Sequence, residues 1–193
     1  MAATSAPTPL AAHIPNALTI ARFALIPVFI VLLADAQGGH DWAAAIVFAV
    51  AGITDQVDGW LARRWHVESE FGKYADPLAD RLMIDVAVVM LFIDGRLPWA
   101  ALVVVLVRDA LLVVGTKYVL PRGYDFSVNV LGKVATWVLY ASICFVLITP
   151  DGTTWPLVVF WVGLAMAVAA AVLYVGSAWR TIRGGGPMEA TRT

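Results

Sequence analysis

Six long apolar runs follow one another along the chain, near residues 15–34, 42–62, 76–94, 98–120, 131–149 and 155–179, each bounded by polar or turn-forming residues. A helix needs about 20 apolar residues to cross about 30 Å of hydrocarbon, so the pattern predicts six transmembrane helices. GGHD at 38–41, DGRLP at 94–98, PRGYD at 121–125 and TPDGTTWP at 149–156 supply the breaks, with glycine and proline where a helix must stop. The fifth run is the weakest because Lys133 falls near its start, and a lysine placed there reaches the interface along its own apolar stem. Residues 1–12 contain no Lys or Arg, so the basic segment that opens a cleavable secretory signal is missing and the stretch reads as a flexible tail. Residues 181–193 hold three consecutive glycines, a proline and charges, a composition that buries little, and read as a second tail. Between the tails, 13–180 read as one domain of an all-α, polytopic membrane protein.

Composition sharpens this picture by exclusion. Hydrophobic residues make up 61% of the chain and charged ones 14%, with mean hydropathy +0.81, whereas soluble domains carry about a quarter charged residues. Thirteen Lys and Arg against fourteen Asp and Glu leave no basic excess to attract a nucleic-acid backbone. A single cysteine, Cys144, closes no internal disulfide and builds no cysteine-rich zinc site. The cations that remain are distributed unevenly. Arg63, Arg64, Lys73, Lys117, Arg122, Lys133, Arg180, Arg183 and Arg192 fall on one face of the predicted topology, Arg96 on the other, and Arg22, Arg81 and Arg108 within spans. The positive-inside rule then puts both termini and the second and fourth loops in the cytoplasm. Trp42, Trp99, Trp155, Trp161 and Trp179 fall near predicted interfaces, as an aromatic belt does.

The chemistry is concentrated in DQVDGWLARRWHVESEFGKYADPLAD, residues 55–80. Asp55 and Asp58 end span two, and Asp76 and Asp80 open span three. A charge at such depth costs at least a few kcal/mol, which makes function the default explanation. On a helix, positions three apart differ by about 60° and positions four apart by about 40°, so each pair shares a face. Two spans packed antiparallel would bring the pairs into one cavity that needs cations. Four carboxylates with no His or Cys suit Mg²⁺ or Mn²⁺ rather than zinc, and two such ions clamp phosphoryl groups in transfer. Gly59 lets a ligand approach the backbone, Ala62 keeps the same face low, Arg63 offers a bidentate phosphate contact, and Gly72 permits a close pass or sharp turn between the helices. Taken singly, Asp76 before Pro77 reads as an N-cap and Asp58 before Gly59 as a turn; four acids and Arg63 at one end of two adjacent spans do not. Glu68, Glu70, Arg64 and Lys73 read as solvated loop charge.

These residues resemble a known family. The pattern D-x2-D-G-x2-A-R-x8-G-x3-D-x3-D of the CDP-alcohol phosphotransferases is matched at every fixed position, by Asp55, Asp58, Gly59, Ala62, Arg63, Gly72, Asp76 and Asp80. IPNALTIARFALIPVF at 14–29 and LGKVAT at 131–136 look like the first and fifth spans of phosphatidylglycerolphosphate and cardiolipin synthases. The resemblance implies a membrane-embedded homodimer of six-helix subunits that transfers a substituted phosphate from a CDP-linked donor to an alcohol and releases CMP. It implies that Asp55, Asp58, Asp76 and Asp80 hold two divalent ions, that Asp80 is also the general base, and that Gly59, Ala62, Arg63 and Gly72 line the CDP moiety. Asn16, Thr19 and Arg22 on span one become donor contacts, with a helix–helix polar contact as their plain reading. CDP-diacylglycerol is the expected donor. Arg108, Lys117, Arg122 and Lys133 gather at the fourth loop as candidate contacts for an anionic acceptor, glycerol 3-phosphate or phosphatidylglycerol, with inositol phosphate a third option. The pair Arg108-Asp109 looks more like the Arg-Asp version in cardiolipin synthases than the Arg-Glu version in phosphatidylglycerolphosphate synthases, and leans toward phosphatidylglycerol. Arg81 and Asp85, four apart, are expected to pair with each other. From another class, a proton or cation transporter also uses intramembrane carboxylates, but its site sits near the midplane between repeated halves, and no repeat is visible.

Overall fold

The computed structural model describes residues 9–36, 41–65, 70–119 and 130–183. Six helices account for nearly all of them: α1 (Pro9–Asp35), α2 (Trp42–Trp65), α3 (Glu70–Ile93), α4 (Trp99–Val119), α5 (Val130–Ile148) and α6 (Trp155–Arg183). No strand occurs among the described residues. Each predicted span is one helix, and the chain is a multi-pass membrane protein. Ala17–Asp35, Val130–Ile148 and Trp155–Leu173 are each long and apolar enough to cross a bilayer unaided. The predicted tail residues 1–8 and 184–193 lie outside the described residues; α1 begins at Pro9, ahead of the first apolar run.

The third span differs from its predicted start. Its apolar run opens at 76, yet α3 begins at Glu70. Asp76 therefore stands inside the helix rather than at its N-cap, and Gly72 occupies a helical position rather than a turn. Polar residues and Pro77 mask this first stretch in a reading based on hydrophobicity.

The helices pack as a ring in the order α1, α2, α5, α6, α4, α3, with α3 also touching α2 and α5. Small residues set two of the closest approaches. A Cβ on Gly52 would lie 2.8 Å from the Tyr140 ring, and one on Gly163 would lie 3.2 Å from the Leu139 backbone nitrogen. Phe48 fills the space beside Tyr140 and Phe29, with ring centroids 5.0 and 5.7 Å away. Met83, Ala87, Leu91, Ile143, Leu147, Phe160 and Leu164 complete the apolar core. Outward-facing Val, Ile, Leu and Trp remain exposed on several helices, as a lipid-facing surface requires.

All three connections at one end of the bundle are tied together. Asp41 caps α2, its Oδ1 accepting from the Ala43 and Ala44 backbone nitrogens at 2.7 and 3.0 Å. Its own N–H donates to Leu147 O at 2.8 Å. Gly95, at φ +74°, ends α3 with a left-handed residue, and Arg96 N then returns to Leu91 O at 2.9 Å, as helix-terminating glycines do. Arg96 reaches across to the α5–α6 connection. Its Nη2 donates to Val146 O and, at 2.6 Å, to Thr149 O, and its Nε lies 2.9 Å from Asp151 Oδ1.

Candidate functional site

Asp55, Asp58, Gly59, Ala62 and Arg63 stand on α2, and Gly72, Asp76 and Asp80 on α3. The side chains of these residues, and those of Asn16 and Lys117, lie outside the described residues, as does the whole of Arg122. What the backbone places together is nonetheless informative. Only residues 66–69 join α2 to α3, so the two form an antiparallel hairpin, and they touch. Counted from Trp65 and Glu70, Asp58 and Asp76 come seven and six residues in, and Asp55 and Asp80 ten each. At 1.5 Å per residue these are layers about 10 Å and about 15 Å from the hairpin end. The hairpin thus brings each acid of α2 level with one of α3.

Helix α1 packs against both and contributes to the same depth. Arg22 lies thirteen residues before Asp35, Asp55 thirteen after Trp42, and Asp80 thirteen before Ile93. These three positions share one layer, about 20 Å from the end tied by Arg96. Thr19 and Arg22 are fully buried. A guanidinium buried completely in a membrane bundle is held there for a reason other than packing, and its level is that of the acids.

One layer nearer the Arg96 end lies a second charged group, on α3 and α4. Asp85 stands beside Asp109; Arg108 Nη1 pairs with Asp109 Oδ1 at 2.8 Å, and Arg81 Nη1 donates to the Asp109 carbonyl at 3.4 Å. Asp85 Oδ1, Asp109 Oδ2 and Arg108 Nε are buried without a hydrogen-bond partner among the described residues. Spacing along α3 points Arg81 at Asp85; the neighbouring α4 also draws both toward Asp109. Sequence reasoning missed that connection, although its signal was present: Asp85 and Asp109 are acids within otherwise apolar spans. Of the acceptor candidates, Arg108 belongs to this inner group. Lys133 is exposed near the start of α5, apart from it.

No group of three or more His, Cys, Asp or Glu able to hold a metal occurs among the described residues. The donor set that remains, four carboxylates paired in level on α2 and α3, fits a hard divalent cation by its chemistry. Loaded with such cations, the arrangement would bind a polyanionic headgroup at a depth where its acyl chains stay in lipid.

Comparison with known proteins agrees. The family model for CDP-alcohol phosphatidyltransferase matches residues 12–174. A Bacillus subtilis CDP-diacylglycerol–glycerol-3-phosphate 3-phosphatidyltransferase is 30% identical over 194 residues, covering 89% of this chain and 97% of its own. A probable phosphatidylglycerophosphate synthase of Mycobacterium tuberculosis is 35% identical, covering 90% and 85%. A CMP-forming cardiolipin synthase of Streptomyces coelicolor is 37% identical, covering 88% and 84%. With the acids levelled on one hairpin and the match running through all six helices, the chain belongs to the CDP-alcohol phosphatidyltransferase family and is a transferase of that type.

Proposed function

We propose that this enzyme transfers the phosphatidyl group of CDP-diacylglycerol to glycerol 3-phosphate and releases CMP. The observation that carries the reading is the α2–α3 hairpin with its two levelled pairs of aspartates, joined to relatives named for that transfer. Asp55, Asp58, Asp76 and Asp80 would hold two Mg²⁺ or Mn²⁺ ions, which supply neutralisation of the diphosphate and of CMP as it departs. Asp80 takes the proton from the acceptor hydroxyl. The hydroxyl oxygen bonds to the phosphorus that bears diacylglycerol, and the bond from that phosphorus to the CMP oxygen breaks. Arg63 orients the diphosphate, while Gly59, Ala62 and Gly72 leave room for CDP. Arg22 and Thr19, with Asn16, border the donor from α1. Arg108, Lys117, Arg122 and Lys133 attract the anionic acceptor. The site opens to the cytoplasmic face of the cell membrane, and the working form is a homodimer.

A second reading takes phosphatidylglycerol as the acceptor. It is favoured by the Asp that follows Arg108 and by the 37% identity to the Streptomyces coelicolor cardiolipin synthase. The relatives named for glycerol 3-phosphate transfer tip the choice to the soluble acceptor. The deciding experiment is CMP release by purified protein with CDP-diacylglycerol and Mg²⁺ or Mn²⁺, given either acceptor separately. Glycerol 3-phosphate alone is expected to support release. Release with phosphatidylglycerol alone makes the enzyme a cardiolipin synthase, and silence across a broad acceptor panel sinks both readings.

A further inference from the structure

Tyr140 on α5 is buried and has no part in the mechanism above. Its ring packs on Phe48, centroids 5.0 Å apart, and its Cδ1 and Cε1 stand 2.8 Å from where a Cβ on Gly52 would be. Phe48, Gly52, Asp55 and Gly59 follow one another at steps of four, three and four residues, which puts them on one stripe of α2 about 60° wide. The stripe on which the ring lies therefore runs on, one turn later, to Asp55. Direction along the helices agrees. The Asp41 N–H bonds Leu147 O at 2.8 Å, so the start of α2 and the end of α5 share one level and the two helices run antiparallel. Tyr140 lies eight residues before Ile148, Gly52 ten after Trp42 and Asp55 thirteen after it, or about 12, 15 and 20 Å from that level.

We propose that Tyr140 is a positioning residue of the site, its hydroxyl donating to one oxygen of the Asp55 carboxylate and leaving the other oxygen for a cation. Side chains lean toward the N-terminus of their own helix. On α5 that is away from the tied end, and the Tyr140 ring has leaned that way, since it lies beside Gly52 rather than at the level of its own Cα. On α2 the same lean runs back toward the tied end, so a tyrosine at 140 and an acid at 55 converge. A buried phenol needs an acceptor, and hydrocarbon holds no water to serve as one. The nearby Val50 and Ala51 carbonyls already accept Thr54 Oγ1 at 2.9 Å, whereas a carboxylate has lone pairs to spare. Gly52 keeps the path along α2 open, because any side chain there would meet the ring. A group that fixes a ligating carboxylate in this way typically contributes tenfold or more to metal affinity. The inference rests on the reading of Asp55 as a cation ligand and adds what holds it; it is the same for either acceptor.

Two measurements on full-length protein, purified in detergent and stripped of metal, read the hydrogen bond and the cation separately. The first is ultraviolet resonance Raman, in which the tyrosine doublet reports hydroxyl donation. The difference between wild type and Tyr140→Phe should carry the ratio of a strong donor, and the same difference taken in an Asp55→Ala background should not. A donor signature that survives Asp55→Ala assigns the hydroxyl to another acceptor and overturns the proposal. The second is Mn²⁺ binding without substrate, followed by electron paramagnetic resonance. Tyr140→Phe keeps the ring against Phe48 and over Gly52, and is expected to bind Mn²⁺ about tenfold more weakly than wild type. Ser142→Ala removes another buried α5 hydroxyl, one bonded to Leu139 O of its own helix, and should bind as wild type does. Equal weakening in both variants traces the effect to the packing of α5 and overturns the proposal. Equal binding by wild type and Tyr140→Phe overturns this inference alone, whereas a wild type that binds no Mn²⁺ overturns the cation reading of Asp55 with it.

Discussion

Two residues separate the chemistry of this chain from its scaffold. In the proposed mechanism Asp80 removes the acceptor proton, so Asp80→Asn should lower turnover at least about a thousandfold, within the range removed with a general base. Binding of a CDP-lipid, followed by calorimetry with Mn²⁺ present, should persist within a few-fold, because an amide keeps one oxygen ligand; turnover near wild type would end the base assignment. Arg96, at the opposite end, is a scaffold residue. Its side chain is 6% exposed and it satisfies the Val146 and Thr149 carbonyls at the end of α5 as well as Asp151. Arg96→Met leaves those carbonyls unpaired and should lower unfolding stability by about 2–3 kcal/mol. Asp151→Asn should cost less than about 1 kcal/mol, since Asp151 is 62% exposed and a partly solvated pair is weak. Reversible denaturation in detergent separates the two, and equal losses would mean that the ion pair rather than the carbonyl contacts holds the connection.

Helix pairs show why some of this architecture was legible in the sequence and some was not. All six helices follow from the long apolar runs, because each must satisfy its backbone within itself in lipid. That Asp55 and Asp58 fall in the second helix and Asp76 and Asp80 in the third was legible, because an apolar run flanks the acids on either side. The start of α3 was not, since its first turns are polar and a hydrophobic window cannot tell a solvated helix from a loop. Neither was the approach of α3 to α4 at Asp85 and Asp109, because a charge within a span reports that it has a partner but not which helix supplies it. Contacts set by absent side chains are the least legible. Gly52 reads as one more small residue, yet its missing Cβ admits the Tyr140 ring. Gly52→Ala should therefore cost about 1–3 kcal/mol through overpacking, and Tyr140→Leu in the same chain should recover part of it by removing the ring. Additive losses in the double variant would show that the two positions do not share that space.

Viewed whole, the molecule has two unlike ends, and this bears on which side of the membrane the reaction occupies. Trp42, Trp99 and Trp155 are the first residues of α2, α4 and α6 and are all well exposed, which marks one interface with an aromatic belt. The layer of Asp55 and Asp80 lies about 20 Å from that belt, so in a core about 30 Å thick it sits about 10 Å below the far surface and is reached from there. Arg63 and Arg64 on α2, Lys73 on α3, Lys117 on α4 and Lys133 on α5 stand near the far ends of their helices, whereas Arg96 at the belt end is consumed by its own contacts. The proposed cytoplasmic site thus predicts a labelling pattern. Cys144, the one cysteine, is replaced by alanine, and single cysteines are introduced at Asp94, Thr153 or Glu68. In right-side-out membrane vesicles an impermeant maleimide should label Asp94→Cys and Thr153→Cys directly, and Glu68→Cys only after permeabilisation. The reverse pattern would turn the acidic layer outward, away from cytoplasmic glycerol 3-phosphate, and the proposed acceptor would fall with it even if the family reaction stood.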